Sequence, residues 1–248
     1  MTIKLGRDKA VVEPRMWVKD KLPTSKAIIY FSESCKKFIR RNIRFKEKVN
    51  FIPSIESHIS EYDGQDILFI MPFFGAPAAT IALELAISAG VSKVITVGEA
   101  GSINKVVRIG DCVIPTWGIR EEGVSYHYMP PDYMPKPSSQ FLAKIKNTLN
   151  NIRLKASFHF GGVWTTDAIF RETLDKIAEY SRVGVLCVDM ETTALMSIAE
   201  YRGIDLVVIL AISDELYDGV WRSGWGSRKL STAEREAIKI ALDMLISI

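Results

Sequence analysis

Short runs of apolar residues recur along the chain and alternate with stretches that are apolar on one helical face only. The apolar runs predict buried strands at residues 27–31, 66–71, 93–97, 162–166, 185–188 and 206–212. Between them the pattern predicts helices over residues 34–42, 78–89, 172–180 and 192–201. A last helix is expected to start at a capping box, Ser231-Thr-Ala-Glu234.

Strand, helix and strand follow one another within about thirty residues, which is the length of a βαβ unit with parallel strands. The unit recurs along the chain, and no linker, repeat or low-complexity tract divides it. The sequence therefore predicts an α/β fold in a single domain, residues 1–248. We expect a mostly parallel, twisted central sheet with helices on both faces.

Composition excludes several classes of protein. A formal charge of +3 is too small to indicate nucleic-acid binding, and no apolar run is long enough to cross a membrane. The N-terminal residues 1–15 lack the apolar block of a signal peptide. Cys35, Cys112 and Cys187 fit neither a disulfide framework nor a metal site. We therefore expect a cytoplasmic protein without a bound metal.

Acids and glycines follow the predicted strands at the end where parallel sheets bind ligands. They are Gly98 to Ser102, Asp167, Asp189 to Glu191, and Asp214 with its neighbours. An acid there also caps a helix, so Asp189 and Glu191 each have a structural interpretation. Asp214 follows seven apolar residues, where a poorly hydrated carboxyl group tends to keep its proton and can serve as a general acid. Capping of a turn remains the alternative.

Six segments together form a recognisable set of motifs: residues 97–104, 107–115, 120–128, 163–167, 188–195 and 212–214. In order and spacing they resemble the signatures of one enzyme family, the purine nucleoside and uridine phosphorylases. The resemblance implies phosphorolysis of a nucleoside to free base and ribose 1-phosphate, with inorganic phosphate as co-substrate and no cofactor. It also implies a homo-oligomer, either a dimer or a hexamer, without nucleic-acid or membrane partners.

The resemblance also implies roles for single residues. Glu191 would bind the ribose hydroxyls, and Met190 would pack against the sugar. Asp214 would protonate N7 of a departing purine, which favours purine over uridine because a pyrimidine has no N7. Ile169 or Phe170 would lie near the base.

The chain departs from the family at the phosphate-binding residues. The family's Pro-Gly-Asp loop matches Tyr30-Phe-Ser-Glu-Ser34, which lacks the glycine. Thr96 stands where the family has an arginine, and Glu99 lies near the position where the family has a small hydroxyl residue. The loss of a cation and the gain of an acid both weaken the binding of a phosphate dianion.

Three interpretations follow from this departure. In the first, phosphate is bound by other groups, for which Gly75, Gly98, Glu99 and Arg120 are the candidates. In the second, water attacks with Glu99 as a possible base, and the protein is a nucleosidase. In the third, the protein binds nucleosides without cleaving them.

Two further segments have more than one interpretation. Residues 36–48 are strongly basic and predict a surface helix with a solvated face, or an arginine donated across a subunit contact. Residues 215–228 form a long loop rich in glycine and aromatic residues, which is typical of a flap over a substrate. Its Trp221 and Trp225 are expected either to stack on the base or to pack against the protein.

Overall fold

The computed structural model describes residues 5, 6, 8–18 and 20–248 of the chain. Of the N-terminal stretch 1–15, residues 1–4 and Arg7 lie outside the described residues. The strands are β1 (Lys26–Tyr30), β2 (Arg44–Val49), β3 (Glu56–Tyr62), β4 (Gln65–Met71), β5 (Lys93–Ser102), β6 (Cys112–Glu121), β7 (Phe158–Thr166), β8 (Val185–Asp189), β9 (Asp205–Glu215) and β10 (Arg222–Ser223). The helices are α1 (Glu33–Asn42), α2 (Ala76–Ser88), α3 (Ser139–Asn150), α4 (Leu174–Arg182), α5 (Thr192–Arg202) and α6 (Arg228–Ile246).

All these strands join one sheet in the order β10-β9-β6-β7-β8-β5-β1-β4-β3-β2. A further pairing between β9 and β5 closes β5, β9, β6, β7 and β8 into a ring. The fold is α/β with a central sheet, as the sequence predicts.

The prediction of a mostly parallel sheet is confirmed only in part, because the sheet is mixed. β1 pairs in parallel with β4 and β5, and β5 with β9, as βαβ units require. However, β5 pairs antiparallel with β8, β6 with β9, and β3 with both of its neighbours. An apolar run indicates that a strand is buried but carries no information on its direction, so these reversals were not predictable from the pattern.

Helices cover both faces of the sheet, which confirms that part of the prediction. One face packs on α2 and α5 through residues such as Leu83, Leu195 and Leu210. The other face packs on α1, α3 and α6 through residues such as Ile39 and Ile238. The side chains of a strand alternate between these layers, which sets the face on which each polar residue of β5 lies.

Two local predictions are wrong. The last helix begins at Arg228 rather than at the predicted capping box, and its cap is Ser227, whose Oγ accepts a hydrogen bond from the Leu230 amide. The basic stretch 36–48 is not one helix, because α1 ends at Asn42 and the chain continues as the exposed strand β2.

Candidate functional site

Asp214 lies near the end of β9 and is largely buried. Its Oδ1 accepts a hydrogen bond from Ser213 Oγ at 2.7 Å, and its Oδ2 accepts one from Trp221 Nε1 at 2.9 Å. Burial raises the pKa of Asp214, and the nearby negative charge of Glu99 adds to this effect, although the two hydrogen bonds oppose it. A carboxyl group in this setting retains its proton more readily than an exposed one, which suits an acid that protonates a leaving group.

Gly101 separates Asp214 from the end of β8. Gly101 is paired with Val188 on one side and with Asp214 on the other. A Cβ atom on Gly101 would lie 2.5 Å from Leu216 Cδ1, 3.2 Å from Asp214 Oδ2 and 3.4 Å from Val188 Cγ1. Only glycine fits at this close approach, and its lack of a side chain lets Asp214 lie near the end of β8, which leads to Glu191.

Glu191 is buried at the start of α5, and its Oε1 accepts a hydrogen bond from the backbone amide of Gly75 at 2.5 Å. Gly75 has a φ of 100°, a conformation that side chains disfavour, and it precedes the first turn of α2. Burial and the neighbouring Asp189 carboxylate raise the pKa of Glu191. Gly75 thus orients Glu191, and its amide is already engaged in this hydrogen bond.

Asp189 holds the start of α5 in place. Its Oδ1 accepts a hydrogen bond from Thr165 Oγ1 at 2.6 Å, and its Oδ2 accepts bonds from the amide and the hydroxyl of Thr192 at 2.8 and 2.6 Å. The structural interpretation therefore accounts for Asp189. Met190, which separates Asp189 from Glu191, is half-buried.

Glu99 of β5 contacts the same segment as Asp214, residues 215–228. Its Oε2 accepts a hydrogen bond from Trp225 Nε1 at 2.9 Å. The rings of Trp225 and Trp221 pack edge to face with their centroids 5.7 Å apart. One loop therefore places an indole N–H on each of the two acids, and both tryptophans remain 57% exposed.

The structure adds Glu234 and Ser32 to the site, two residues that sequence reasoning had not assigned to it. The negative charge of Glu99 acts on Glu234 of α6 and, after burial, helps to raise its pKa, and Ser32 Oγ donates a hydrogen bond to Glu234 Oε1. The local pattern around Glu234 matched a capping box, so the sequence predicted a helix cap at Glu234 rather than a residue of the site. Its partner Ser32 is 202 residues away, and no local signal links the two.

Glu172 is a second acid that sequence reasoning did not assign to the site. Burial raises the pKa of Glu172 to about 7, and the charge of Asp214 adds to the shift. It follows a short 3₁₀ helix, Ile169–Arg171, in which Ile169 is 47% exposed and Phe170 is 96% exposed. Glu172 therefore lies near enough to Asp214 to feel its charge, whereas Ile169 and Phe170, the two predicted base-contacting residues, are exposed to solvent.

Arg120 is fully engaged within its own loop. Its guanidinium lies over the Tyr126 ring and donates hydrogen bonds to Ser125 Oγ and to the carbonyl oxygens of Met129, Pro130 and Tyr133. These contacts hold the segment after β6 and leave few donors for a ligand. The amide of Gly75 is likewise used, and Gly98 lies inside β5 with Leu210 against it. Phosphate binding by these groups stays a prediction.

Comparison with known proteins identifies the family. The sequence matches the phosphorylase superfamily over residues 28–242. The chain belongs to the phosphorylase superfamily. The nucleoside phosphorylases of this superfamily are pentosyltransferases, so the predicted family and enzyme class are confirmed.

Named relatives of this superfamily member include both purine and uridine enzymes. DeoD-type purine nucleoside phosphorylases from Bacillus cereus and Bacillus thuringiensis are 30% identical to it over 187 residues, 75% of this chain and 77% of theirs. A uridine phosphorylase from Vibrio fischeri, in complex with 6-hydroxy-1-naphthoic acid, superposes with a TM-score of 0.80 at 24% identity. That match covers 92% of this chain and 98% of the other, and at this identity it shows the fold alone.

Among the residues that the structure describes, no helix combines the length and the apolar character that a membrane crossing requires.

Proposed function

We propose that this protein cleaves the N-glycosidic bond of a purine nucleoside, releasing the free base and transferring the pentosyl group to an acceptor. The observation that carries the proposal is the pairing of Gly101 with both Val188 and Asp214. This pairing brings a proton-holding acid and the Glu191-bearing start of α5 to one edge of the sheet, with a residue that has no side chain between them.

The chemistry of the bond assigns each acid a task. As the C1′–N9 bond breaks, positive charge develops on the sugar and the bonding electrons move onto the base. Asp214, with its raised pKa, donates a proton to N7 of the purine and relieves that negative charge. A positioned acid of this kind accelerates a reaction by roughly 10²–10⁴-fold.

Glu191 serves the sugar in this proposal. Its carboxylate accepts hydrogen bonds from the ribose hydroxyls, while the amide of Gly75 fixes its orientation. Met190 packs against the sugar, and Ile169 or Phe170 contacts the base once a nucleoside is bound. Fixed hydrogen bonds of this kind contribute by holding the reacting atoms in alignment.

Inorganic phosphate is the acceptor that the names of the relatives indicate, so phosphorolysis to ribose 1-phosphate is the first reaction to assay. Gly75, Gly98, Glu99 and Arg120 are the proposed phosphate-contacting residues of this chain. A homo-oligomer is the proposed assembly, as a dimer or a hexamer.

The test is the release of free base from inosine, guanosine, adenosine and uridine by the purified full chain, followed chromatographically. We expect release from at least one purine nucleoside and little from uridine. Faster release from uridine than from any purine would refute the role given to Asp214. Tight nucleoside binding without any release would show that the protein is a binding protein instead.

A further inference from the structure

A large cavity lies at the end of the sheet that β2 forms, bordered by α1, β2, β3 and the segment 50–55. Its volume is about 1240 Å³, which is ample for a small organic molecule. Its walls do not include Glu99, Asp214 or Glu191. The cavity is therefore a candidate binding site separate from the acids of the proposed reaction.

Apolar side chains form a large part of the cavity wall. Ile39 and Ile43 are buried on the α1 side, whereas Phe45 of β2 and Phe73, which follows β4, line the cavity with exposed rings. Large apolar side chains that line a hollow and remain exposed are typical of a ligand site. The wall thus favours a ligand with a hydrocarbon body.

His58 on β3 lines the cavity and is only 8% exposed. Its ring stacks on Phe69 with the centroids 5.4 Å apart and tilts against Phe45 at 5.8 Å. Among the described residues, no group forms a hydrogen bond with either ring nitrogen of His58. Burial lowers the pKa of His58, so the ring is neutral at pH 7 and retains one N–H donor. A buried donor without a partner in the protein is available to a ligand.

Lys48 supplies a positive charge beside this donor. It lies directly opposite His58 in the pairing of β2 with β3 and lines the same cavity. Lys36 and Arg40 also line the cavity, but both pair with Glu56, at 2.7 and 2.8 Å. Within the described part of the chain, Lys48 forms no ion pair. One uncompensated cation and one unused N–H thus converge, an arrangement that binds an anion.

The charges around the cavity favour a carboxylate over a phosphate dianion. Glu33 and Glu56 are part of the wall, and their negative charges oppose a second charge on the ligand. A carboxylate carries a single charge and two oxygens, one for the ammonium group of Lys48 and one for the N–H of His58.

We infer that this cavity binds an apolar monocarboxylate. The carboxylate is held by Lys48 and His58, and the hydrocarbon body packs against Phe45 and the buried isoleucines of α1. Because no residue of the proposed cleavage reaction lines the cavity, this inference is independent of that reaction.

Calorimetric titration of the purified full chain with octanoate tests the inference. We expect saturable binding at one site, at least about tenfold tighter than that of 1-octanol, octyl phosphate or acetate, since these lack the charge, carry a second charge or lack the hydrocarbon body. Octyl phosphate or 1-octanol binding as tightly as octanoate would overturn the choice of a carboxylate. The absence of saturable octanoate binding would overturn the inference as a whole, and neither result bears on nucleoside cleavage.

Variants locate the bound octanoate. Lys48→Gln removes the exposed cation and should weaken octanoate binding by about tenfold. Lys46→Gln is the matched control, because it removes the same charge from the same strand at a side chain that pairs with Asp66 and does not line the cavity. We expect wild-type binding by this control. Equal weakening by both variants would show a general attraction between charges instead of a site.

His58→Phe keeps an aromatic ring in the stack with Phe69 and removes the N–H donor. We expect it to weaken octanoate binding by about fivefold. Thermal unfolding shows whether each variant is folded. Unchanged octanoate binding by folded Lys48→Gln and His58→Phe proteins would exclude this cavity as the site.

Discussion

The indole nitrogen of Trp221 donates a hydrogen bond to Oδ2 of Asp214 across 2.9 Å. Because Ser213 occupies the other oxygen, both oxygens of the carboxyl group have protein partners. Each oxygen has a second lone-pair position, so a purine can engage Asp214 beside these partners or by displacing one of them. Trp221 is 57% exposed and lies on the loop between β9 and β10, so it is the partner that is free to move.

Replacement of Asp214 tests its role as the acid. We expect Asp214→Asn to lower kcat for a purine nucleoside by roughly 10²–10⁴-fold, with a smaller change in nucleoside affinity, because the amide can bind N7 but cannot protonate it. Steady-state kinetics and calorimetric binding measure the two effects. Asp132→Asn, at an exposed position, is the control. Unchanged turnover by Asp214→Asn would remove this residue from the mechanism.

Loss of the Trp221 hydrogen bond should shift the pH profile. The indole N–H stabilises the ionised form of Asp214, so Trp221→Phe raises the pKa of Asp214 further. Since Asp214 acts while protonated, the alkaline limb of kcat/KM should move to higher pH by about one unit. Trp17→Phe, in the N-terminal segment, should leave the limb in place. A shift to lower pH would contradict the assignment of Asp214 as the acid.

Glu172 should make the stability of the protein pH-dependent. Burial raises the pKa of Glu172 to about 7, against about 4.3 in an unfolded chain, so its contribution is fully present below about pH 4 and is lost as the pH rises through 7. Glu172→Gln removes this loss. We expect the variant to exceed the wild type in unfolding free energy by about 2 kcal/mol at pH 8, allowing for solvent screening, and to match it at pH 4.

Denaturant unfolding at the two pH values measures this difference. Glu179→Gln lies on the exposed face of α4 and should show the same pH dependence as the wild type. Equal stability of Glu172→Gln and the wild type at both pH values would show that Glu172 ionises freely in the folded protein.

Variants of two glycines with positive φ distinguish the effect of backbone strain from the effect of the contact with Glu191. Gly75→Ala and Gly203→Ala each force a side chain into a disfavoured conformation, at φ values of 100° and 66°, and each should cost at least about 1 kcal/mol of stability. Only Gly75 donates to Glu191, so only Gly75→Ala should also raise KM for the nucleoside, by about tenfold. An equal rise in KM for both variants would show that the contact has no functional role.

The sequence predicted those parts of the molecule that depend on local pattern. The apolar runs at β1, β4 and β9 became buried strands, and acids that follow such runs lie where strand ends meet. The charged strand β2 was not predicted, because its exposed residues show no alternation of apolar and polar positions. The directions of β6 and β8 were not predictable, because an apolar run does not indicate the direction of a strand.

The site itself was only partly predictable. The position of Asp214 after a long apolar run indicated an acid with a raised pKa. In contrast, the contact of Gly75 with Glu191 joins residues 116 apart and depends on a glycine conformation, and Glu234 resembled a helix cap. Such contacts arise from the packing of distant elements, so no local motif reports them.

The charged composition of β2 has a consequence for how the molecule behaves among copies of itself. A sheet that ends in an open strand offers unpaired amides and carbonyls to any other extended chain. One end of this sheet is β10, which has only two residues, and the other is β2, in which four of six residues are charged. Both edges of the sheet thus disfavour the addition of a strand from another molecule. The charged side chains of β2 therefore protect the fold against aggregation.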